Sequence, residues 1–231
     1  MARTFLPFGL VAFYPMDEAS AANRLNALNN ATYVLTQSGG VTQVAGPNAG
    51  IPHATGFAKA SSQKLSLSNA ANFLASGPWG IHCLVKAGAG WADFDGLLQA
   101  KANGASSPAF VVGCVKTTAP GLNVYPSNVV PGFQGAQNYT EVNPDDGNWH
   151  SCIWTSDGAV LTQIIDGGKS VCSYGISPWS PGGGIDFTVG ATGGGAYFDG
   201  DLCQLGVWKR QLNLNDAQML YQGGSFLPYP F

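Results

Sequence analysis

Short apolar runs separated by Gly, Pro, Asn or Asp dominate this sequence. Runs of this kind, rich in Val, Ile, Tyr, Phe and Trp, are typical of β-strands. Trp79, Ile81, Cys83 and Val85 would share one face of such a strand, because successive side chains alternate across it. The pattern predicts strands over residues 9–16, 64–68, 79–87, 94–99, 109–116, 149–155, 159–166, 169–174, 185–191 and 201–209.

Two Asp-Gly pairs predict tight turns between neighbouring strands. Asp157-Gly158 and Asp166-Gly167 each separate two apolar runs, and glycine tolerates the positive φ that primed hairpin turns need. We therefore expect an antiparallel meander of three strands, over 149–155, 159–165 and 169–174.

The sequence predicts one helix, over residues 213–222. Asn213 can cap its first turn, Asp216 lies near the positive end of the helix dipole, and Gly223-Gly224 ends it. Many strands, one short helix and no alternation of strands with helices predict an all-β fold. We expect an antiparallel β-sandwich, or jelly roll, with one short C-terminal helix.

Charged residues are scarce in this chain, and the balance of acidic and basic residues limits the classes of partner that it can bind. Ten Lys and Arg stand against 13 Asp and Glu, for a formal net charge of −3. A nucleic-acid interface needs clustered Lys and Arg, so we expect no nucleic-acid partner. No apolar run approaches the roughly 20 residues that span a bilayer, so we expect no membrane insertion. The apolar start resembles a signal peptide, but Pro7 and Gly9 interrupt it, and we expect no cleavage.

Several segments together resemble laminin G-like, concanavalin A-type lectin/glucanase domains. They lie in the family's order between residues 9 and 224: the opening Gly9–Glu18, Trp149-His150 followed by the two Asp-Gly turns, Tyr197–Leu202, Gly206–Leu212, and the closing Leu214–Gly224. The resemblance implies two facing antiparallel sheets with a curved concave surface. We expect one such domain over residues 1–231, with short apolar N- and C-terminal tails.

Glycosidases share the fold that this resemblance implies, so a catalytic pair of carboxylates is one possibility. Glycosidases canonically flank the scissile bond with two carboxylates, and laminarinase-type relatives carry Glu-x-Asp-x-Glu on one strand. This chain lacks that motif and has two Glu, Glu18 and Glu141. Asp93-Phe-Asp95 has a suitable spacing, but a solvated turn before Gly96 is the favoured interpretation. A Ser/His/Asp triad stays open, although the sequence contains no G-x-S-x-G elbow. We expect no enzyme activity.

The three histidines, His53, His82 and His150, fit no metal-site spacing. His82 and His150 lie within predicted strands beside Trp residues, so we expect them to pack there.

Calcium is the common ion of the family, and it needs six to eight oxygen ligands. Asp199-Gly-Asp201 occupies the place of the family's Asp-Gly-x-Asp turn, and Asp17 could approach it because the chain ends meet in this fold. The resemblance thus implies a Ca²⁺ site formed by Asp17, Asp199 and Asp201. A plain turn is the favoured alternative, since other acidic residues nearby are scarce.

Glycan binding needs flat aromatic faces for sugar C–H groups and polar groups for hydroxyls. Trp91 and Trp179 lie on predicted loops, and Tyr125 and Tyr139 lie in a divergent middle region; these four are the candidate ligand contacts. Loop tryptophans also serve as loop anchors. Three further tryptophans lie in strands and are expected in the core: Trp149, Trp154 and Trp208.

The five cysteines each lie inside a strand-like apolar run: Cys83, Cys114, Cys152, Cys172 and Cys203. We expect buried free thiols, which behave as small hydrophobic groups. One disulfide between neighbouring strands stays open as an alternative.

Two functions compete. The favoured one is a non-enzymatic decoration module on a virion surface, such as a bacteriophage capsid, made in the host cytoplasm and able to adhere to glycans. The alternative is a carbohydrate-binding module or extracellular adhesion domain outside a virus. The expected partners are sister subunits or other virion structural proteins, and a cell-surface glycan. We expect the apolar ends, 5–8 and 226–231, to form a patch that contacts those partners. The alternative is that they fold back onto the sandwich.

Overall fold

The computed structural model describes residues 6–29, 31–71, 73–74, 77–90, 92, 95–102, 110–115, 121–126, 146–175, 184–192 and 195–231, and several of these by their backbone alone. The described elements, in chain order, are β1 Leu10–Tyr14, β2 Thr36–Ser38, β3 Thr42–Asn48, β4 Ile51–Phe57, β5 Lys64–Ala70, β6 Trp79–Ala87, β7 Gly96–Ala102, β8 Phe110–Val115, β9 Gly121–Pro126, β10 His150–Ser156, β11 Val160–Ile165, β12 Ser170–Gly175, β13 Ile185–Val189, β14 Ala191–Thr192, β15 Ala196–Tyr197, β16 Gly200–Trp208 and the helix α1 Leu214–Tyr221.

The strands form two antiparallel sheets. One sheet has eight strands, in the order β12-β11-β10-β6-β16-β4-β3, with β1 also paired to β16. The other has six strands, in the order β2-β5-β13-β7-β8-β9, and β14 with β15 forms a small ribbon beside them. The predicted fold class, an antiparallel sandwich with one short C-terminal helix, is confirmed.

The main core lies between the two sheets. In β13, inward Ile185, Phe187 and Val189 are buried and alternate with half-buried Asp186 and Thr188. The four β6 residues predicted to share a face all belong to this core, and so do Cys152 and Trp154 of β10. The alternation that predicted these strands is therefore the pattern that buries them.

The meander is also confirmed, because β10 pairs with β11 and β11 with β12. Gly158, at φ 104°, turns the first hairpin, and Gly167, at φ 70°, lies in a short 3₁₀ turn that makes the second connection.

Five of the described strands were not predicted: β2, β3, β4, β9 and the two-residue β15. In β3, Gly46 and Pro47 interrupt any apolar pattern, and β3 lies at the edge of its sheet. Edge strands tolerate proline because one side of the strand needs no ladder hydrogen bond. The predicted strand 94–99 begins later, and β7 starts at Gly96.

Helix α1 covers the outer face of the eight-stranded sheet. Asn213 accepts hydrogen bonds from the amides of Asn215 and Asp216, while the Asp216 carboxylate accepts from the Asn213 amide, which completes a capping box. Arg210 pairs with Asp216 at 2.7 Å. Gln222 takes the left-handed conformation that ends the helix, one residue before Gly223. In the described part of the chain no helix is long and apolar enough to cross a membrane.

The N-terminal segment packs against the same outer face. Leu6 is fully buried, and Trp208 Nε1 donates to the carbonyl of Leu6 at 2.6 Å. Arg210 Nε donates to the carbonyl of Phe8 at 2.9 Å, yet the Phe8 side chain remains 73% exposed. The turn at residues 6–9 is thus fixed by β16 while one aromatic ring faces solvent.

The C-terminal segment folds back over β1 and β16. Tyr229 stacks on Phe13 with ring centroids 4.3 Å apart, and Phe231 lies over Trp208 at 6.4 Å. Phe226 is buried in the main core. These C-terminal residues therefore close their own sandwich. This is the fold-back alternative, and for the C-terminal segment the favoured expectation of an exposed apolar patch is wrong.

Three buried thiols lie on neighbouring strands. Cys83, Cys152 and Cys203 are free and buried, and Cys152 lies directly opposite Cys83. Burial raises the pKa of each thiol, so the reactive thiolate is disfavoured. The side chains of Cys114 and Cys172 lie outside the described part.

We predict that these three thiols do not react with a thiol reagent in the native protein. After denaturation without reductant, titration should count at least three. A count of one after denaturation would mean two disulfides and would contradict the free-thiol arrangement.

Deleting residues 226–231 should lower the melting temperature without changing the association state. Losing a buried phenylalanine costs about 3–5 kcal/mol, which lowers Tm by about 6 °C or more in a chain of this size. Phe8→Ala is the matched control, since an exposed apolar side chain contributes little. An unchanged Tm together with loss of an oligomer would favour the assembly interpretation.

Candidate functional site

The predicted turn at Asp199-Gly200-Asp201 lies at one end of the sandwich, where β15 leads into β16. Gly200 has φ 148°, and a Cβ there would lie 2.4 Å from the carbonyl oxygen of Lys86. Only glycine fits this approach, so the sequence fixes the turn against the end of β6.

Asp199 holds the loop that joins β6 to β7. Its Oδ2 accepts from the Gly90 amide at 2.9 Å, and its carbonyl accepts from the Gly88 amide at 2.8 Å. A Cβ on Gly90 would lie 2.5 Å from that carboxylate oxygen. Glycine at residue 90 therefore permits the hydrogen bond that fastens the loop.

A second carboxylate fastens the far side of the same loop. Asp95 is 4% exposed, and its two oxygens lie 2.7 and 2.8 Å from Lys59 Nζ. Asp95 Oδ2 also accepts from the Ala92 amide at 2.8 Å. The favoured interpretation of a solvated turn is wrong for Asp95, because the ion pair and the amide compensate its burial. Asp93 lies outside the described residues.

Beside this loop, Asp201 and Lys86 form an open ion pair. Asp201 Oδ2 and Lys86 Nζ are 3.8 Å apart, with side chains 24% and 40% exposed. Burial and the charge of Asp199 raise the pKa of Asp201, and the Lys86 ammonium opposes that shift. Both side chains keep surface that can contact a ligand.

The structure brings Asp199 and Asp201 together but gives Asp17 other partners. Asp17 is exposed, and its charge acts on Glu18 and Arg24 rather than on Asp201. The described residues contain no group of three His, Cys, Asp or Glu side chains placed to hold a metal ion. The calcium prediction therefore rests on Asp199 and Asp201, which supply fewer oxygens than Ca²⁺ usually takes.

The aromatic candidates lie largely outside the described part. Trp91, Trp179 and Tyr139 fall beyond it, and Tyr125 is described by its backbone, which pairs with Val111 at the sheet edge. Trp91 directly follows Gly90 in sequence. The Asp199 carboxylate therefore fixes the residue next to a predicted ligand contact.

Sequence reasoning missed a polar row on the six-stranded sheet. Thr36 lies opposite Ser66, Ser66 opposite Thr188, and Thr188 opposite Gln99, so these positions line up across four strands. They alternate with the inward core residues of the same strands, as the half-buried Thr188 between Phe187 and Val189 shows. The alternation of polar and apolar residues in 64–68 and 185–191 is the sequence signal that could have predicted this row.

The triad left open by the sequence does not assemble in the described residues. His82 Nε2 and Ser151 Oγ are 3.1 Å apart, but both side chains are buried. Burial lowers the pKa of His82 to about 3, so the ring is neutral. Asp166 accepts a hydrogen bond from the Ser151 amide, but its other oxygen contacts the ring of His150. This dyad is part of the interior.

The Glu18 carboxylate is also engaged in contacts within the protein. Its Oε1 accepts from the Leu25 amide at 2.6 Å, and its Oε2 lies 3.5 Å from Nε of the buried Arg24. Arg24 in turn donates to Thr55 and to the carbonyl of Ala22, both at 2.6 Å. Glu18 and Arg24 join the loop after β1 to β4. Glu141 lies outside the described residues.

No protein-family model and no curated protein matches this chain. Solved structures do. Domain 4 of AbnA, a GH43 extracellular arabinanase from Geobacillus stearothermophilus, in complex with arabinotriose, aligns at TM-score 0.66 and 14% identity over 90% of this chain and 96% of that one. Trypanosoma rangeli sialidase with the inhibitor DANA aligns at 0.68 and 12%, over 92% of this chain.

Botulinum neurotoxin type C, whose cell entry depends on interaction with two ganglioside molecules, aligns at TM-score 0.64 and 10% identity over 96% of this chain. The likeness shows the fold. The chain spans 32% of the sialidase chain and 53% of the toxin chain. At these identities the neighbours share the β-sandwich with this protein and do not single out the laminin G-like family.

The calcium prediction can be tested through stability. A ligand that binds only the folded state at a hundredfold excess over Kd adds about 2.7 kcal/mol. Bound Ca²⁺ should therefore raise Tm, EDTA should lower it, and Asp201→Asn should remove the difference. Equal melting temperatures in Ca²⁺ and EDTA would favour the plain turn.

Proposed function

We propose that this protein is a non-catalytic, laminin G-like carbohydrate-binding module that takes its glycan at the end of the sandwich. The β6–β7 loop, the 199–201 turn and Lys86 form this surface, which we name the loop-end site. The observation that carries the proposal is the Asp199 carboxylate, which fixes Gly90 while the neighbouring Asp201–Lys86 pair stays open.

The chemistry of the loop-end site suits sugar hydroxyls. A carboxylate accepts hydrogen bonds from hydroxyls and an ammonium donates to them, and both bonds are charge-assisted. Trp91, next to Gly90 in sequence, would supply an aromatic face for sugar C–H groups. Because Asp199 and Asp95 already hold the loop, binding would cost little ordering entropy.

The ligands of two structural neighbours support the proposal. The arabinanase domain was solved with arabinotriose, and the type C neurotoxin depends on gangliosides. These ligands belong to those proteins, and the choice of sugar for this chain is set by its own side chains.

The absence of catalysis is part of the proposal. Hydrolysis canonically needs one carboxyl group as acid and a second as base or nucleophile. Asp95 and Glu18 are each bound to a cation and a backbone amide. Groups held in this way serve as structural anchors rather than as proton donors.

A place on a virion surface, as expected from the sequence, would use a different face. Phe8 is the described residue of the apolar ends that stays mostly exposed, on a turn held by Arg210. A rigidly presented aromatic side chain is a suitable anchor for another protein. The loop-end site would remain free for a glycan in that arrangement.

The test is a glycan array followed by titration calorimetry on the best ligand. We expect Asp199→Ala to weaken binding tenfold or more, and Lys86→Met, which leaves the loop bonds intact, to weaken it as well. Asp157→Ala is the matched control, since Asp157 also bonds turn amides, those of Ala159 and Val160, but in the β10–β11 hairpin. No variant should release reducing sugar.

Two results would overturn the proposal. One is a folded wild-type protein that binds no glycan on the array. The other is glycan binding that survives both Asp199→Ala and Lys86→Met, which would move the ligand elsewhere, with the polar row of the six-stranded sheet as the next surface to mutate.

A further inference from the structure

A buried histidine lies between two carboxylates at the start of β10. His150 is 4% exposed, its Nδ1 is 2.9 Å from Asp166 Oδ2, and its Nε2 is 3.0 Å from Asp146 Oδ1. Asp166 comes from the turn between β11 and β12, and Asp146 from the segment before β10. The ring therefore joins two parts of the chain through opposite nitrogens.

This geometry fixes the charge of the ring. Ionised carboxylates accept hydrogen bonds and donate none, so both ring nitrogens must carry protons to satisfy both acids. Burial lowers the pKa of His150, but the hydrogen bonds and charges of Asp166 and Asp146 outweigh it and the pKa is raised. The pKa of Asp146 falls to about 2, since bonds from Asn148 and His150 outweigh its desolvation.

Other titratable groups act on this cluster through Asp166. The ammonium of Lys169, which donates to Tyr221 Oη at 2.6 Å, interacts with the Asp166 charge. The Cys152 thiol, on the same strand as His150, is also sensitive to Asp166. In the described residues, Asp146 and Asp166 are the charged groups that contact the ring directly.

We propose that Asp146, His150 and Asp166 form a pH-sensitive latch that fastens residues 146–148 to the eight-stranded sheet and opens when His150 loses a proton. The inference is independent of the loop-end site. It assigns a switching role to a histidine that the sequence indicated only as a packed residue.

The two carboxylates respond differently to that proton loss. Asp166 is 6% exposed and also accepts from the Ser151 amide at 2.9 Å, so it retains the remaining N–H. Asp146 has a side chain 41% exposed and would face a bare nitrogen lone pair. The Asp146 carboxylate therefore turns to water, and residues 146–148 lose this attachment.

The sign of the pH dependence follows. Because the folded-state pKa of His150 is raised, its stabilisation is complete below the ordinary histidine pKa and is lost as pH rises through the raised value. Asp146 has a lowered pKa, so its stabilisation is present above the ordinary aspartate pKa and is lost as pH falls toward 2. The latch is closed between these two limits.

The experiment is an NMR titration of the histidine ring nitrogens and of the Asn148 amide across pH 5 to 10. We expect the His150 midpoint to lie above the ordinary histidine pKa, with both of its ring nitrogens protonated below that midpoint. Removing one adjacent charge moves a pKa by about one unit or more, so Asp146→Asn should lower the His150 midpoint by that amount. The Asn148 amide should shift with the same midpoint in the wild type.

His53→Gln is the control, because it removes an exposed histidine and should leave the His150 titration unchanged. Asp166→Asn, if folded, should also lower the midpoint. The latch is refuted if His150 titrates at or below the ordinary histidine pKa, if Asp146→Asn leaves its midpoint in place, or if the Asn148 amide does not follow the His150 titration.

Discussion

Strand β16 and its bulge set the geometry on which the rest depends. One edge of β16 pairs with β6, whereas the other pairs with β4 at its start and with β1 at its end. The ladder shifts at Gln204, which has φ 52°, and a bulge of this kind bends its strand. The bend leaves the Gln204 side chain free to accept from the Tyr229 amide at 3.1 Å. One strand therefore positions Asp201 at one end and, at the other, Trp208, on which both chain ends pack.

The fold was predictable where the burial of one face of an element produces a regular spacing of apolar residues in the sequence. The alternating strands of the core, the three-strand meander and the Asn213 cap all follow from residues close in sequence. The segment 36–57 was not predictable in that way, since β3 is a half-exposed edge strand that contains Gly46 and Pro47. Strand β9, which ends at Pro126, is an edge strand too. Edge strands need neither a continuous ladder nor a buried face, so their sequences carry little periodic signal.

The candidate site was half predictable for a related reason. An Asp-Gly-Asp turn is visible in sequence, but the partner of Asp199 is Gly90, 109 residues away, and the partner of Asp95 is Lys59, 36 residues away. The local sequence favoured the interpretation of Asp95 as part of a solvated turn, whereas the fold buries this residue. The resemblance to lectin-type domains supplied the turn but not the roles of its residues, because hydrogen-bond partners this distant are set by the folded topology.

Because charged residues are scarce in this chain, the positions of those that are present are informative. Asp95, His150 and Asp216 are buried, each is paired, and each joins two segments that are separate in sequence. Removing one partner of such a pair leaves a buried charge uncompensated, at a cost of about 3–5 kcal/mol. The Asp201–Lys86 pair differs, because both side chains are partly exposed and the atoms are 3.8 Å apart. Exposed ion pairs contribute about 0–1 kcal/mol to the free energy of unfolding. In a chain with so few charges, a gain in stability therefore does not explain why both charges lie there. The proposed glycan site would give these two charges a function.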